Sequence, residues 1–293
     1  LRLGRLAEIE RLVMGHDEIK QQMIWAGKVL VAAGQDDFTR GHISFRLPDD
    51  ASQFFMKPHG FGLDEIAPEN ILTIDIDGNV VAGTARSHSE VYIHSEILKK
   101  RPDVHCVVHT HPPYCVALSA TGRPMRCYSQ PSALFYEALG VYADSINLIR
   151  TQEMGARVAK ALGPHRAVLL KNHGIAAVGA SIAEAVVGAI MLENAAMVQL
   201  TVEAAGEPAP EFLYADIEKL KADIGRPEQF AINFDYLVRR VKSREPVPRS
   251  IRKASIPEQI ATDPGRAPRK ARQKRAGKSV RKRVMKRRLQ AKG

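Results

Sequence analysis

The feature that most limits what this chain can fold into is an abrupt change of composition near Pro246. From Pro246 to Gly293 there are 17 Lys and Arg, two acidic residues and no aromatic. Such a segment cannot bury enough apolar surface to offset the entropy of ordering it, so 246–293 is expected to be a disordered basic tail. The folding unit is therefore residues 1–245, with 26 basic and 30 acidic residues. The whole-chain net charge of +11 belongs to the tail and describes neither part. With 45% hydrophobic residues over the whole chain, the first part has enough apolar material for a substantial core without disulfides. Three cysteines, Cys106, Cys115 and Cys127, show no paired spacing, which favours reduced thiols. Leu1 to Glu10 is charged and lacks an apolar signal region, and no apolar run approaches the roughly 20 residues of a membrane span. A cytoplasmic protein is the expectation. The tail lacks aromatic interleaving and any nucleic-acid module, so it reads first as a solvated segment affecting solubility or non-specific association, with polyanion binding without sequence specificity as the alternative.

Periodicity places the elements. Residues 16–33 read as an amphipathic helix ending at Gly34. Strands at 42–47 and 52–57 flank Pro48-Asp49-Asp50, and the alternating run 71–83 turns at Asp77-Gly78, a strong hairpin signal. Ser87 and Glu90 have the spacing of a capping box, opening a helix to about Lys100. A strand follows at 104–111, then helices near 113–120 and 151–163, and a strand–turn–strand at 167–179. Ser181 and Glu184 open a long helix to about Ala204, apolar on more than one side and expected to be buried or at a subunit contact. A last helix covers 227–241. Without strict βαβ alternation, this order suggests α+β or a layered mixed sheet rather than a doubly wound fold.

The histidines carry the chemistry. His109 and His111 lie two apart on a predicted strand and so share a face, as a chelating pair or as two solvated polar residues. His173 stands in Lys171-Asn172-His173-Gly174, where Gly174 would supply positive φ for a tight turn. Glu90 reads as a capping partner of Ser87 or as an acid/base residue. His94, one helical turn on, could orient Glu90 or lie exposed. His105 and Cys106 read as structural, Asp75, Asp77 and Asp144 as turn residues, and Arg46, Lys57 and Arg86 as surface cations or counter-charge.

Together these segments resemble class II aldolase/adducin proteins. Ser89-Glu90, Arg101-Pro102-Asp103, Val107 to Pro112 and Leu170 to Gly174 follow that family's order and spacing. Gly41-His42-Ile43-Ser44-Phe45-Arg46 and Lys57-Pro58-His59-Gly60 match its two early glycine loops. The resemblance covers about residues 16–205. It implies a three-layer α/β/α fold with a central, mainly antiparallel sheet, and a homotetramer. It also implies a divalent metal, zinc first and manganese second, on His109, His111 and His173. Glu90 would coordinate the metal at rest and act as acid/base in turnover, and Tyr128 would enter a neighbouring subunit's site.

Where sugar-phosphate aldolases of the family place small polar phosphate ligands, this chain has His42, His59 and His88-Ser89. Those residues, with Gly60, form the expected substrate-binding set. The expected function is a metal-dependent carbon–carbon lyase, aldolase or decarboxylase, working through a metal-bound enediolate. Its substrate would be a small, unphosphorylated hydroxy or oxo carboxylate or a sugar-like molecule. A fuculose- or ribulose-phosphate type aldolase and an adducin-like, non-catalytic scaffold whose tail attracts nucleic acid are the alternatives.

Overall fold

A computed structural model describes residues 14–206 and 212–243. The expected tail, 246–293, lies outside the described residues. Eight strands form one sheet in the order β4-β3-β2-β1-β5-β8-β7-β6. They are β1 (His42–Arg46), β2 (Gln53–Met56), β3 (Leu72–Asp75), β4 (Val80–Ala82), β5 (Cys106–Thr110), β6 (Leu139–Tyr142), β7 (Ala167–Leu170) and β8 (Gly174–Gly179). Every neighbouring pair is antiparallel except β6 with β7.

Side chains alternate across this sheet and make two cores. Ile43, Phe45, Cys106, Val108, Ile175 and Ala177 face one layer, built from α1 (His16–Ala32), α3 (Pro113–Thr121), α5 (Ile182–Ala204) and α7 (Pro227–Lys242). On the other face Phe54, Met56, Val107, Val168 and Ala176 meet α2 (Val91–Lys100) and α4 (Gln152–Leu162). Helix α6 (Tyr214–Ile224) packs through Ile217 against Cys127 and Ala133. The layered α/β/α architecture with a mainly antiparallel sheet is therefore the observed one. β6, α6 and the parallel pairing went unread in the sequence, because LGVY is too short to carry a periodic signal.

Four expectations need correction. Helix α2 begins at Val91 with Glu90 at its N-cap position and no side-chain cap, so Ser87 and Glu90 form no capping box. Arg46 and Lys57 are not surface cations: they are 7% and 0% exposed. Arg46 donates to the carbonyls of Leu98, Arg101, Val104 and Ala51, and so satisfies carbonyls at the C-terminal end of α2. Finally, α5 is long and apolar enough by composition to cross a membrane, although more than half of its apolar stretch is buried against the core. It was read as buried or at a subunit contact, and the burial of Ala185, Val186, Ala189 and Leu192 within the chain agrees with the first.

Candidate metal centre

Strand β5 and the residue just past its end deliver the first two imidazoles. His109 pairs with His42 of β1 on one side and Ala176 of β8 on the other, so its ring enters a fully buried position. His109 Nδ1 donates to the Ile175 carbonyl at 2.8 Å, which leaves Nε2 with a lone pair facing the centre. His111, just past the strand end, brings its Nδ1 within 3.0 Å of Asp37 Oδ2 and its Nε2 within 3.1 Å of His109 Nε2. The His173 ring stacks on His111 at 5.2 Å, and its Nε2 lies 3.5 Å from Glu90 Oε1.

The turn holding His173 works differently from the sequence reading. Asn172, not Gly174, adopts the left-handed conformation, at φ 59°. Gly174 is required for space: a Cβ there would strike the Thr110 carbonyl and the His111 ring. Glycine thus lets the start of β8 approach the end of β5, beside His111 and His173.

Glu90 closes the set. Its Oε1 accepts the Ile149 amide at 2.9 Å, and its Oε2 is 3.8 Å from His109 Nε2. One ligand atom from each of Glu90, His109, His111 and His173 falls within 4.8 Å of the others. Two imidazole lone pairs and a carboxylate converge there. Among the described residues neither ring nitrogen of His173 finds a hydrogen-bond partner. Buried acceptors facing one another without a donor are unfavourable unless a cation lies between them, so the residues fit a divalent ion. Three imidazoles and one carboxylate suit zinc or a similar first-row metal.

The electrostatics agree. Burial, then repulsion from His111, holds His109 well below the ordinary histidine range. His111 is lowered by burial and by His173. Both are therefore neutral, as ligation requires. Burial alone would raise the Glu90 carboxyl, but His173, His109 and the Ile149 amide outweigh it and hold it at about 2.

A cavity of about 950 Å³ opens beside this centre. Glu90, His111 and His173 are on its wall, with His59, His88 and Ser89 of the expected substrate set. His42 and Gly60 are not: His42 lies fully buried behind the wall, and Gly60 is exposed beside His59 at φ 86°. Tyr128 is half-buried in another loop and does not line the cavity of its own chain. Arg40, Arg86 and Arg150 stand on the wall, while Val116, Ala117, Ala120, Ile146 and Leu148 make its apolar part. Burial lowers Lys57 to about 8; its Nζ donates to the Thr39 and Pro58 carbonyls and to His88 Nε2, each at 3.1 Å. His88 Nε2 also lies 3.1 Å from the Pro58 carbonyl, so the same nitrogen faces one donor and one acceptor.

Asp37, Arg40, Arg150 and the Ile149 amide were missed from sequence, as was Glu193. The Glu193 carboxylate accepts the amides of Tyr114 and Cys115 and anchors α3 immediately after His111. Asp37 sits in an acidic turn that reads like any loop, and the Glu193 contacts span 78 and 79 residues. No local pattern marks either.

The chain is similar to several known proteins. The model of the class II aldolase and adducin N-terminal domain matches residues 21–200. A 3,4-dihydroxyphthalate decarboxylase of Arthrobacter keyseri is 30% identical over 221 residues, which cover 72% of this chain and 88% of that protein. The meiotically up-regulated gene 14 protein of Schizosaccharomyces pombe is 32% identical over 202 residues, 68% of this chain and 79% of its own length. Among solved structures, an L-fuculose 1-phosphate aldolase from Glaciozyma antarctica superposes with a TM-score of 0.71 at 26% identity, covering 81% of this chain and 92% of that one. Fold, ligand geometry and sequence agree: the chain belongs to the class II aldolase and adducin family.

Proposed function

We propose that this protein is a divalent-metal-dependent carbon–carbon lyase acting on a small, unphosphorylated hydroxy or oxo carboxylate, by decarboxylation or aldol cleavage. The convergence of three imidazoles and Glu90 at the wall of one cavity carries this reading. His109, His111 and His173 would hold the ion, with Glu90 at its fourth corner. A divalent ion, zinc first and manganese second, supplies Lewis-acid stabilisation for the negative charge that breaking the bond leaves on a neighbouring oxygen.

The chain's own groups do the rest. Arg86 and Arg150, with the imidazoles of His59 and His88, offer donors to a substrate carboxylate. The apolar wall from Val116 to Ala120, with Ile146 and Leu148, covers the remainder of the molecule and suits a flat or aromatic body. Glu90 is ionised and next to the reacting position, so it is the group to move a proton. His42, Ser89 and Gly60 support the substrate-facing loops, and Tyr128 would complete the cavity of a neighbouring copy in a homo-oligomer.

Decarboxylase relatives and the imidazoles at the phosphate-ligand positions favour a carboxylate over a sugar phosphate. The test uses the full chain loaded with Zn2+ or Mn2+. Carbon dioxide release is measured from 3,4-dihydroxyphthalate and related hydroxy acids, and aldehyde release from L-fuculose 1-phosphate. Turnover of an acid, lost together with bound metal in His109→Ala and His173→Ala, supports the reading. Preference for the sugar phosphate, or no metal taken up by the wild-type protein, overturns it.

A further inference from the structure

Behind the cavity wall three polar side chains form a line that leads to Glu90. Ser44, His94 and His42 are each 0% exposed. Ser44 Oγ lies 2.6 Å from His94 Nδ1, and His94 Nε2 lies 2.7 Å from His42 Nδ1. The last atom, His42 Nε2, has no hydrogen-bond partner and is 4.0 Å from Glu90 Oε2. This is the only oxygen of Glu90 that the Ile149 amide leaves free.

A neutral imidazole carries one N–H, so the line can run in two directions. Serine at the outer end can donate or accept and favours neither. The inner end decides. An ionised carboxylate only accepts, and a lone pair on His42 Nε2 would place two acceptors face to face in a dry site. An N–H there faces an acceptor instead.

We infer that His94, held by Ser44, is a positioning residue that fixes His42 as an Nε2–H donor aimed at Glu90 Oε2. In this direction Ser44 donates to His94 Nδ1, His94 Nε2 donates to His42 Nδ1, and His42 offers its proton to the carboxylate. Closing the gap to a hydrogen bond requires a shift of about 1 Å. Oε1 is held by backbone, so His42 controls the orientation of the oxygen that can move. The inference deepens the reading of Glu90 as a ligand and proton carrier and rests on it for its function, while the polarity of the line can be measured independently.

The test begins with the full chain labelled with 15N-histidine and free of metal. Long-range 1H–15N spectra separate protonated from unprotonated ring nitrogens, and the variants His42→Phe and His94→Gln assign the two rings. Both rings are expected to carry their proton on Nε2; a His42 protonated on Nδ1 overturns the inference. Zn2+ affinity is then compared by competition with a chelating dye. His94→Phe breaks the line and is expected to weaken Zn2+ binding by about 10- to 100-fold, the range for partners that orient metal ligands. In His94→Gln the side-chain amide can donate to His42 Nδ1 and is expected to restore the affinity. Equal affinity in all three proteins overturns the inference. Wild-type protein that binds no Zn2+ would refute the metal centre instead, and the ring spectra alone would then decide the line. Circular dichroism checks that His94→Phe folds. If it does not, Ser44→Ala replaces it, with weaker Zn2+ binding expected and unchanged affinity counting against the inference.

Discussion

Acid should destabilise this protein more steeply than its carboxylates explain, and the cause is its buried imidazoles. Burial holds His88 and His94 at about 3 in the folded state, against 6.5 for an unperturbed histidine. His42 and His109 are held well below 6.5 by burial and by neighbouring positive or imidazole groups. The unfolded chain therefore takes up protons below pH 6.5 that the folded chain refuses until about pH 3. The stability these histidines contribute is fully present above 6.5 and is lost as pH falls through that window. Between pH 7 and pH 5 each such histidine costs about 2 kcal/mol, so His88 and His94 together cost about 4 kcal/mol. His42 and His109 add to the loss. Typical domains have about 5–15 kcal/mol in total, so the metal-free protein should approach unfolding near pH 5. Glu90 does not offset this, because its depressed carboxyl loses its stabilising effect only below the ordinary carboxylate range. The assay is urea unfolding of chelator-treated protein at pH 7, 6 and 5. The midpoint should fall by roughly 1–2 M over that range. The double variant His88→Asn/His94→Gln should show a visibly shallower dependence, whatever its stability at pH 7. A wild-type midpoint that does not move, or a double variant with the wild-type slope, would refute the reasoning.

Two substitutions test the frame around the site. Gly174→Ala puts a Cβ against the Thr110 carbonyl and the His111 ring, and should cost about 1–3 kcal/mol in urea unfolding while lowering zinc content by elemental analysis. Unchanged stability and full zinc content would show that β8 has room to spare. Arg46→Met keeps the bulk but strips the donors from four carbonyls, three of them at or just past the end of α2, and a loss of about 3 kcal/mol is expected in thermal unfolding. A change below about 1 kcal/mol would mean that water replaces the guanidinium.

Much of the molecule was legible because its signals are local. Turn residues and alternation located seven of the eight strands and six of the seven described helices to within a few residues. The spacing of His109, His111, Lys171-Asn172-His173-Gly174 and Glu90 carried the family resemblance, and the structure brings one side-chain atom each of Glu90, His109, His111 and His173 within 4.8 Å of the others. What failed were readings of which polar residues are covered. In β1 the polar residues His42, Ser44 and Arg46 alternate with Ile43 and Phe45, the pattern of a strand with one wet side. All five are buried, because α2 lies over the polar side and turns it into the Ser44–His94–His42 line and the cap of its own C-terminal end. Glu90 read as a capping residue for the same reason: its partners, the Ile149 amide and His173, are 59 and 83 residues away. The amino-acid sequence alone determined which residues share a face and where the chain turns, since both follow from backbone periodicity and local sterics. Only the tertiary structure decided which polar face meets solvent and which meets a helix, because that depends on contacts between segments dozens of residues apart.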